Sequence, residues 1–385
     1  MQCMKQQSQA VLVLQGGGAL GAYQAGVYEA LEHAGQAPSW IAGISIGAIN
    51  AALIAGNAPE HRVARLREFW ELVTSGPGYT PPLASIEQLN DFSATQALVF
   101  GVPGFFTPRV PPPLFELRGT PAALSFYDTE PLRETLQRLV DFDRLNSGEV
   151  RLAVGAVNVR SGNFAYFDTA SQRLDVRHIL ASGALPPGFP PVEIDGECYW
   201  DGGLVSNTPL QYVLDQPDES DPVVFQVDLF PARGTLPATI AEVAGRDKDI
   251  RYSSRTRQVT TQELQLQAIA KAAQRLLAKL PPQLRDDPDA QALAGLRQCA
   301  SLDVVHLIYR SKHPETQAKD YEFSRRSMEE HWASGRADMQ HTLRHPQWLQ
   351  RPPNPGGVRV FDLVADPANG QHRRREVRDL RLAAR

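Results

Sequence analysis

The sequence predicts an α/β fold built on a mainly parallel sheet, and three observations predict it. The chain opens strand–helix–strand–helix: residues 10–14 (AVLVL) are a short apolar run stopped by Gly16, Gly17 and Gly18, and residues 40–44 are a second. Two later apolar runs, 223–229 (VVFQVDL) and 304–309 (VVHLIY), read as further core strands. Between the runs lie helical patterns, such as Tyr23, Val27, Leu31 and Ala34 closed by Gly35. Strands alternating with helices give a parallel sheet with helices packed on it.

The remaining elements follow in order. Residues 48–55 form a helix directly after the second strand, and Val63, Leu66, Trp70 and Val73 mark one face of a helix over 60–73. Residues 75–125 hold nine prolines and little periodicity, so a long irregular segment is expected, serving either as a lid or as a cover for core surface. A helix fits 128–139, a hairpin 150–168 turning at Arg160-Ser161-Gly162-Asn163, a helix 176–180 and a short strand 198–200. About 70 residues separate the two later core strands and read as helical, with Leu264, Ala268, Ala272, Leu276 and Leu280 at every fourth position. Residues 324–343 form a last helix, followed by a Pro/Gly-rich stretch and the basic tail HRRREVRDLRLAAR.

Composition excludes several classes. The 385 residues carry 39 Lys and Arg against 43 Asp and Glu, which gives no basic excess for a general nucleic-acid binder. Cys3, Cys198 and Cys299 are odd in number and far apart, so neither a disulfide framework nor a zinc site is expected, and a cytoplasmic setting fits. No export signal is expected from the short apolar run near the N-terminus. The most span-like stretch, residues 41–56, is too short to cross a bilayer and contains Gly43, Gly47 and Gly56. Residues 246–279 carry eight Lys and Arg against three Asp and Glu; such a helix can lie on a membrane or simply present a solvated face.

The chemistry concentrates in three places. Gly43-Ile44-Ser45-Ile46-Gly47 matches G-x-S-x-G between a strand and a helix, where a sharp turn exposes the Ser45 hydroxyl and small flanking residues avoid clashes. Gly16, Gly18 and Gly21 satisfy G-x-G-x-x-G, but a dinucleotide site needs an acidic residue at the end of the second strand, and none occurs between Glu32 and Glu60. The triple glycine fits an oxyanion hole better, its N–H groups aimed at developing negative charge. Asp201-Gly202-Gly203 follows a short strand and offers a carboxylate, although Asp-Gly turns are common anywhere. None of the nine histidines stands in a context that marks it as a base; His306 reads as a core residue. No His/Cys/Asp group has ligand spacing, so neither metal nor cofactor is expected.

QGGGALGAYQAGV, GISIGAIN, ASGALPPGFPPV and WDGGLVSNTPL, in this order, resemble the four blocks of the patatin-like phospholipase family. Segments such as RDKDIRYSSRTR and VHLIYRSKHPE resemble a bacterial subgroup with its own C-terminal region (DUF3734-like). The resemblance implies a three-layer α/β/α fold with a mainly parallel central sheet and helical C-terminal additions. It implies a catalytic domain over 8–230 with 75–125 as a Pro/Phe-rich lid or cap, a helical region over 231–345 that includes the strand at 304–309, and a tail over 346–385. It further implies a Ser–Asp dyad without histidine: Ser45 as nucleophile, Asp201 as base, Gly16, Gly17 and Gly18 as oxyanion donors, and Gly43, Gly47, Gly202 and Gly203 as motif support. Ser182 to Pro186, in the third block, would support the site floor. Many members carry Lys or Arg in the glycine-rich loop, whereas residues 16–24 here hold no charge, which weakens phosphate recognition. Phe92, Phe100, Phe105, Phe106 and Phe115 would instead line an acyl pocket. The expected activity is carboxylester or lipid acyl hydrolysis, with phospholipase action second; an acyltransferase with the same dyad and a non-catalytic membrane-associated scaffold are the alternatives. The expected partner is a hydrophobic ester or lipid substrate and no nucleic acid; peripheral membrane contact and oligomeric state stay open.

Overall fold

The computed structural model describes residues 9–76, 85–216, 222–254, 256–284, 287–295, 302–311, 317–352, 354 and 358–364. The chain opens with β1 (Ala10–Leu14), α1 (Ala22–His33), β2 (Trp40–Gly43), α2 (Ile46–Ala55) and α3 (Pro59–Val73). α4 (Ile86–Phe100), β3 (Thr107–Pro108), β4 (Tyr127–Asp128), α5 (Glu130–Leu139) and α6 (Phe142–Leu145) follow. Next come β5 (Arg151–Asn158), β6 (Phe164–Asp168), α7 (Val176–Ser182), β7 (Val192–Ile194), β8 (Glu197–Asp201), α8 (Leu210–Asp215) and β9 (Val223–Asp228). The C-terminal part supplies α9 (Ile240–Tyr252), α10 (Thr256–Leu277), α11 (Pro288–Ala294), β10 (Leu302–Ile308), α12 (Arg325–Arg344), α13 (Pro346–Leu349) and β11 (Val358–Phe361).

Strands β11, β10, β9, β1, β2 and β5 lie side by side and parallel. Beyond them, β5 pairs antiparallel with β6 and with β8, and β8 with β7. β1 and β9 are buried along their whole length, as central strands of a covered parallel sheet must be. Side chains alternate between two cores. Leu12, Leu14, Ile41, Leu152, Phe225 and Val305 join α1, α2, α3 and α12 on one face; Val11, Val13, Ala42, Val224 and Val304 meet Leu210 and Val213 of α8 on the other. Two helical layers thus enclose the sheet, the three-layer α/β/α architecture expected from the sequence. α12 lies directly on α1: a Cβ at Gly26 would stand 2.0 Å from the Trp332 carbonyl oxygen, and one at Gly335 would stand 2.0 Å from that of Tyr23.

Two expectations need revision, and a third is made more exact. Residues 75–125 are not irregular throughout, because α4 occupies 86–100; its capping box pairs Ser85 with Gln88, and no proline falls inside it. Within the stretch taken as a tail over 346–385, β11 adds a parallel edge strand to β10, while HRRREVRDLRLAAR lies outside the described residues. In α10, Ala268, Ala272 and Leu276 of the every-fourth stripe face outward, whereas Ala270 and Ala273 are buried. A four-residue step overshoots a helical turn by about 40°, so five such residues spread over about 160° and cannot share one packed face.

The basic excess of 246–279 is partly engaged within the fold. Arg246 donates to the carbonyls of Pro231 and Ala232, Lys248 pairs with Asp320 at 2.6 Å, and Arg251 pairs with Asp247. Among the described residues, no helix is long and apolar enough to cross a membrane.

Candidate active site

The sheet topology brings the ends of β2 and β8 together. β6 pairs with β5 across residues 153–157 and occupies one edge of it, so β2 and β8 must share the other. They approach each other along that edge. β2 ends where Gly43 pairs with Val154, and β8 ends where Asp201 pairs with Ala156, leaving only Gly155 between the two registers. Two residues of strand span about 7 Å, within which the side chains beyond Gly43 and at Asp201 can meet. The two side chains are near enough to interact: the Ser45 side chain acts on the Asp201 carboxyl and favours its charged form.

Ser45 stands at the sharp turn. Its φ of 56° lies in the left-handed region, a strained conformation for a residue with a side chain, and α2 begins at the next residue. The turn closes only with glycines on both sides. A Cβ at Gly43 would stand 2.5 Å from the Gly47 carbonyl oxygen, and one at Gly47 would stand 2.4 Å from that of Leu14. The third block fixes the turn from behind: the Ser45 N–H donates to Ser182 Oγ (3.0 Å), and Ser182 Oγ donates to the Gly155 carbonyl (2.7 Å). The amino-terminal dipole end of α2 faces the hydroxyl and favours negative charge there.

Asp201 is buried. Burial pushes its carboxyl up to about 6, opposed by the nearby Ser45 side chain and by the hydrogen bond from the Gly203 N–H at 2.7 Å. A carboxylate poised near neutrality beside a hydroxyl has the proton affinity that general-base chemistry requires. Gly202 permits this approach, since a Cβ there would stand 2.7 Å from the Gly155 carbonyl oxygen.

The triple glycine borders Ser45: a Cβ at Gly16 would lie 3.1 Å from that of Ser45. Its three amides are not equivalent. The Gly16 N–H donates to the Asn207 carbonyl (3.2 Å), while among the described residues the N–H groups of Gly17 and Gly18 donate to no protein atom. Gly18 adopts a φ of 53°, and the Asp320 carbonyl accepts from the Ala19 N–H (2.8 Å) at its back. The loop therefore offers two free donors rather than three.

Several supporting residues carried no signal of their own in the sequence. Gln15 is fully buried; its Oε1 accepts from the N–H groups of Leu229 and Phe230, and its Nε2 donates to Thr208 and to the Tyr252 carbonyl. Asn207, six residues after Asp201 in the fourth block, donates to the carbonyls of Gly16 and Tyr252. Tyr252 comes from α9; its phenol is held above the usual range by burial, then by the charges of Asp320 and Asp201. The C-terminal region thus packs against the catalytic loops.

The five phenylalanines of the cap separate. Phe105 and Phe106 are buried in an aromatic cluster with Phe69, Tyr127, Phe189 and Phe323. Phe92 is half-buried on α4, and Phe100 and Phe115 are exposed. The histidines named in the sequence lie elsewhere: His306 pairs with Asp228 at 2.5 Å, and His178 closes the capping box of α7 with Asp175. Among the described residues, no group of three or more His, Cys, Asp or Glu side chains is placed to hold a metal ion.

Comparison with known proteins places this architecture. A family model described as Patatin-like phospholipase matches residues 12–214, more than half of the chain, and a second, DUF3734, described as Patatin phospholipase, matches residues 250–355. No curated protein sequence matches. Among solved structures, VipD from Legionella pneumophila is 14% identical over 84% of this chain and 67% of its own, with a TM-score of 0.34. Human GIVD cytosolic phospholipase A2 is 13% identical over 57% of this chain and 43% of its own, with a TM-score of 0.32. ExoU, solved with SpcU from the type III secretion system of Pseudomonas aeruginosa, is 15% identical over 74% of this chain and 67% of its own, with a TM-score of 0.29. This chain therefore spans between 43% and 67% of those structures, and with TM-scores below 0.5 the assignment stands on the family models. Membership supports a lipid hydrolase. On the match across residues 12–214, which includes both Ser45 and Asp201, the chain belongs to the patatin-like phospholipase family.

Proposed function

We propose that the chain is a serine lipid acyl hydrolase, of carboxylester/lipase or phospholipase A type, working through an acyl-enzyme. The observation that carries this reading is a strained serine whose side chain acts on a buried carboxyl held at about 6.

Ser45 Oγ attacks the ester carbonyl carbon while its proton passes to Asp201. The oxyanion is held by the N–H groups of Gly17 and Gly18; losing one such donor typically costs about 10²–10³ in rate. Collapse breaks the bond to the alcohol, which leaves with the proton from Asp201, and the acyl group stays on Ser45. Asp201 then takes a proton from water, the hydroxide oxygen attacks the acyl-enzyme, and the acid departs as Ser45 regains its proton. Absence of charge in residues 16–24 favours recognition of the acyl part over a phosphate.

The test is a panel of p-nitrophenyl esters of increasing acyl length, beside phospholipid and neutral-lipid substrates. Wild type should turn over the esters, whereas Ser45→Ala and Asp201→Asn should each lose about three orders of magnitude or more while keeping the fold. Normal turnover by Ser45→Ala would remove the reading.

A further inference from the structure

We propose that residues 109–126 form an apolar flap that inserts into the lipid surface presenting the substrate. The proposal rests on the reading of the chain as a lipid acyl hydrolase. Its geometry is that of a closed excursion. β3 and β4 pair at its base (Thr107 with Asp128, Pro108 with Tyr127), the Arg109 N–H donates to the Phe126 carbonyl at 3.0 Å, and the Arg109 guanidinium reaches Ser125 and Asp128. That base is seated on the third block: the N–H groups of Phe126 and Tyr127 donate to the carbonyls of Pro187 (3.1 Å) and Gly188 (2.9 Å). The same block carries Ser182, which holds Ser45. The flap is therefore continuous with the wall of the catalytic site.

Beyond its base the flap turns its apolar side chains outward. Val110 is 91% exposed, Leu114 89%, Phe115 75% and Leu117 78%, with Leu124 and Phe126 about half exposed. Such a concentration on one short segment marks an interaction site.

Low charge selects lipid over a protein partner: of the eighteen residues only Arg109, Glu116 and Arg118 are charged, few for the polar rim of a protein interface. Pro111, Pro112, Pro113 and Pro121 fix φ, so little chain entropy is lost on insertion. The basic helix α9 is a poorer anchor, because Arg246 and Lys248 are tied to other parts of the fold.

The experiment compares the full wild-type chain with Leu114→Ser/Phe115→Ser/Leu117→Ser on phosphatidylcholine vesicles and on soluble p-nitrophenyl butyrate. Vesicle binding by sedimentation and hydrolysis of vesicle lipid should both fall more than about tenfold in the variant, while turnover of the soluble ester stays within about twofold. A second variant, Phe115→Trp, should show a blue shift of emission, beyond that of wild type, when vesicles are added; this readout decides if the triple variant fails to fold. Unchanged vesicle binding by a folded triple variant, or an unshifted emission from the introduced indole, overturns the flap. Conversion of a wild-type dimer into a monomer by the triple variant also overturns it, because a second copy would then cover the face. Failure of wild type to hydrolyse either the soluble ester or vesicle lipid would instead sink the hydrolase reading, whether or not it binds the vesicles.

Discussion

Replacing Asp201 by Asn should stabilise the protein while abolishing its activity, and the size of both effects follows from where the carboxyl sits. Burial holds the Asp201 carboxyl at about 6, against an ordinary aspartate value of 3.8. The folded state therefore binds this proton more tightly than the unfolded chain does. Below about pH 4 both states are protonated and nothing is lost. As pH rises from 4 through 6 the unfolded chain ionises first, and stability falls; above about 7 the loss is complete. Two pK units at about 1.36 kcal/mol each make it about 3 kcal/mol. Asn cannot ionise, and it keeps an oxygen for the Gly203 N–H. The expected gain of Asp201→Asn is near zero at pH 4 and approaches about 3 kcal/mol at pH 8, readable as a rise of a few degrees in Tm or a later urea midpoint at constant slope. In parallel, wild-type kcat/KM should climb through pH 6 and level off, with Asp201 the group that must lose its proton. An Asn variant no more stable than wild type at pH 8 would refute the argument, since it would mean that the carboxylate is not held ionised at a cost.

Further substitutions probe the frame around the dyad. Gly18→Ala should lose activity about 100-fold or more and lower Tm, because φ is 53° and the new Cβ would meet the Asp320 carbonyl oxygen at 2.0 Å; ester turnover and thermal melts check it. Ser182→Ala removes the acceptor of the Ser45 N–H and the donor to Gly155, so a loss of about 1–3 kcal/mol and a reduced kcat with KM kept are expected in urea titration and steady-state kinetics. Lys248→Met breaks the pair with Asp320, whose carbonyl backs the glycine loop; kcat should fall severalfold at unchanged KM, and Lys248→Arg should restore most of it.

Much of this architecture was legible in the sequence, for physical reasons that also mark where legibility ends. Short apolar runs stopped by glycines identify β1 and β2 because a central parallel strand is buried on both faces and must end in a tight loop. α4 was hidden by counting prolines over 75–125 as a block, although Ser85, Gln88 and the terminal Gly101 signal a helix between them. β11 is only four residues long, follows a Pro/Gly-rich stretch, and is a strand only because β10 offers it an edge. The meeting of Ser45 and Asp201 could be reached by resemblance but not by local reading. It depends on β2 and β8 ending on either side of Gly155 along one edge of β5, a register that no short-range pattern encodes. For the same reason Gln15, Asn207 and Asp320 looked like ordinary polar residues until the loops they tie together were in place.

The most direct test of the central claim is labelling with a fluorophosphonate, followed by peptide mapping at a series of pH values. A single adduct on Ser45, formed faster as pH rises through about 6 and slowed by orders of magnitude in Asp201→Asn, is the expected result. An adduct on another residue, or labelling of Ser45 at the same rate with and without the Asp201 carboxylate, would contradict it.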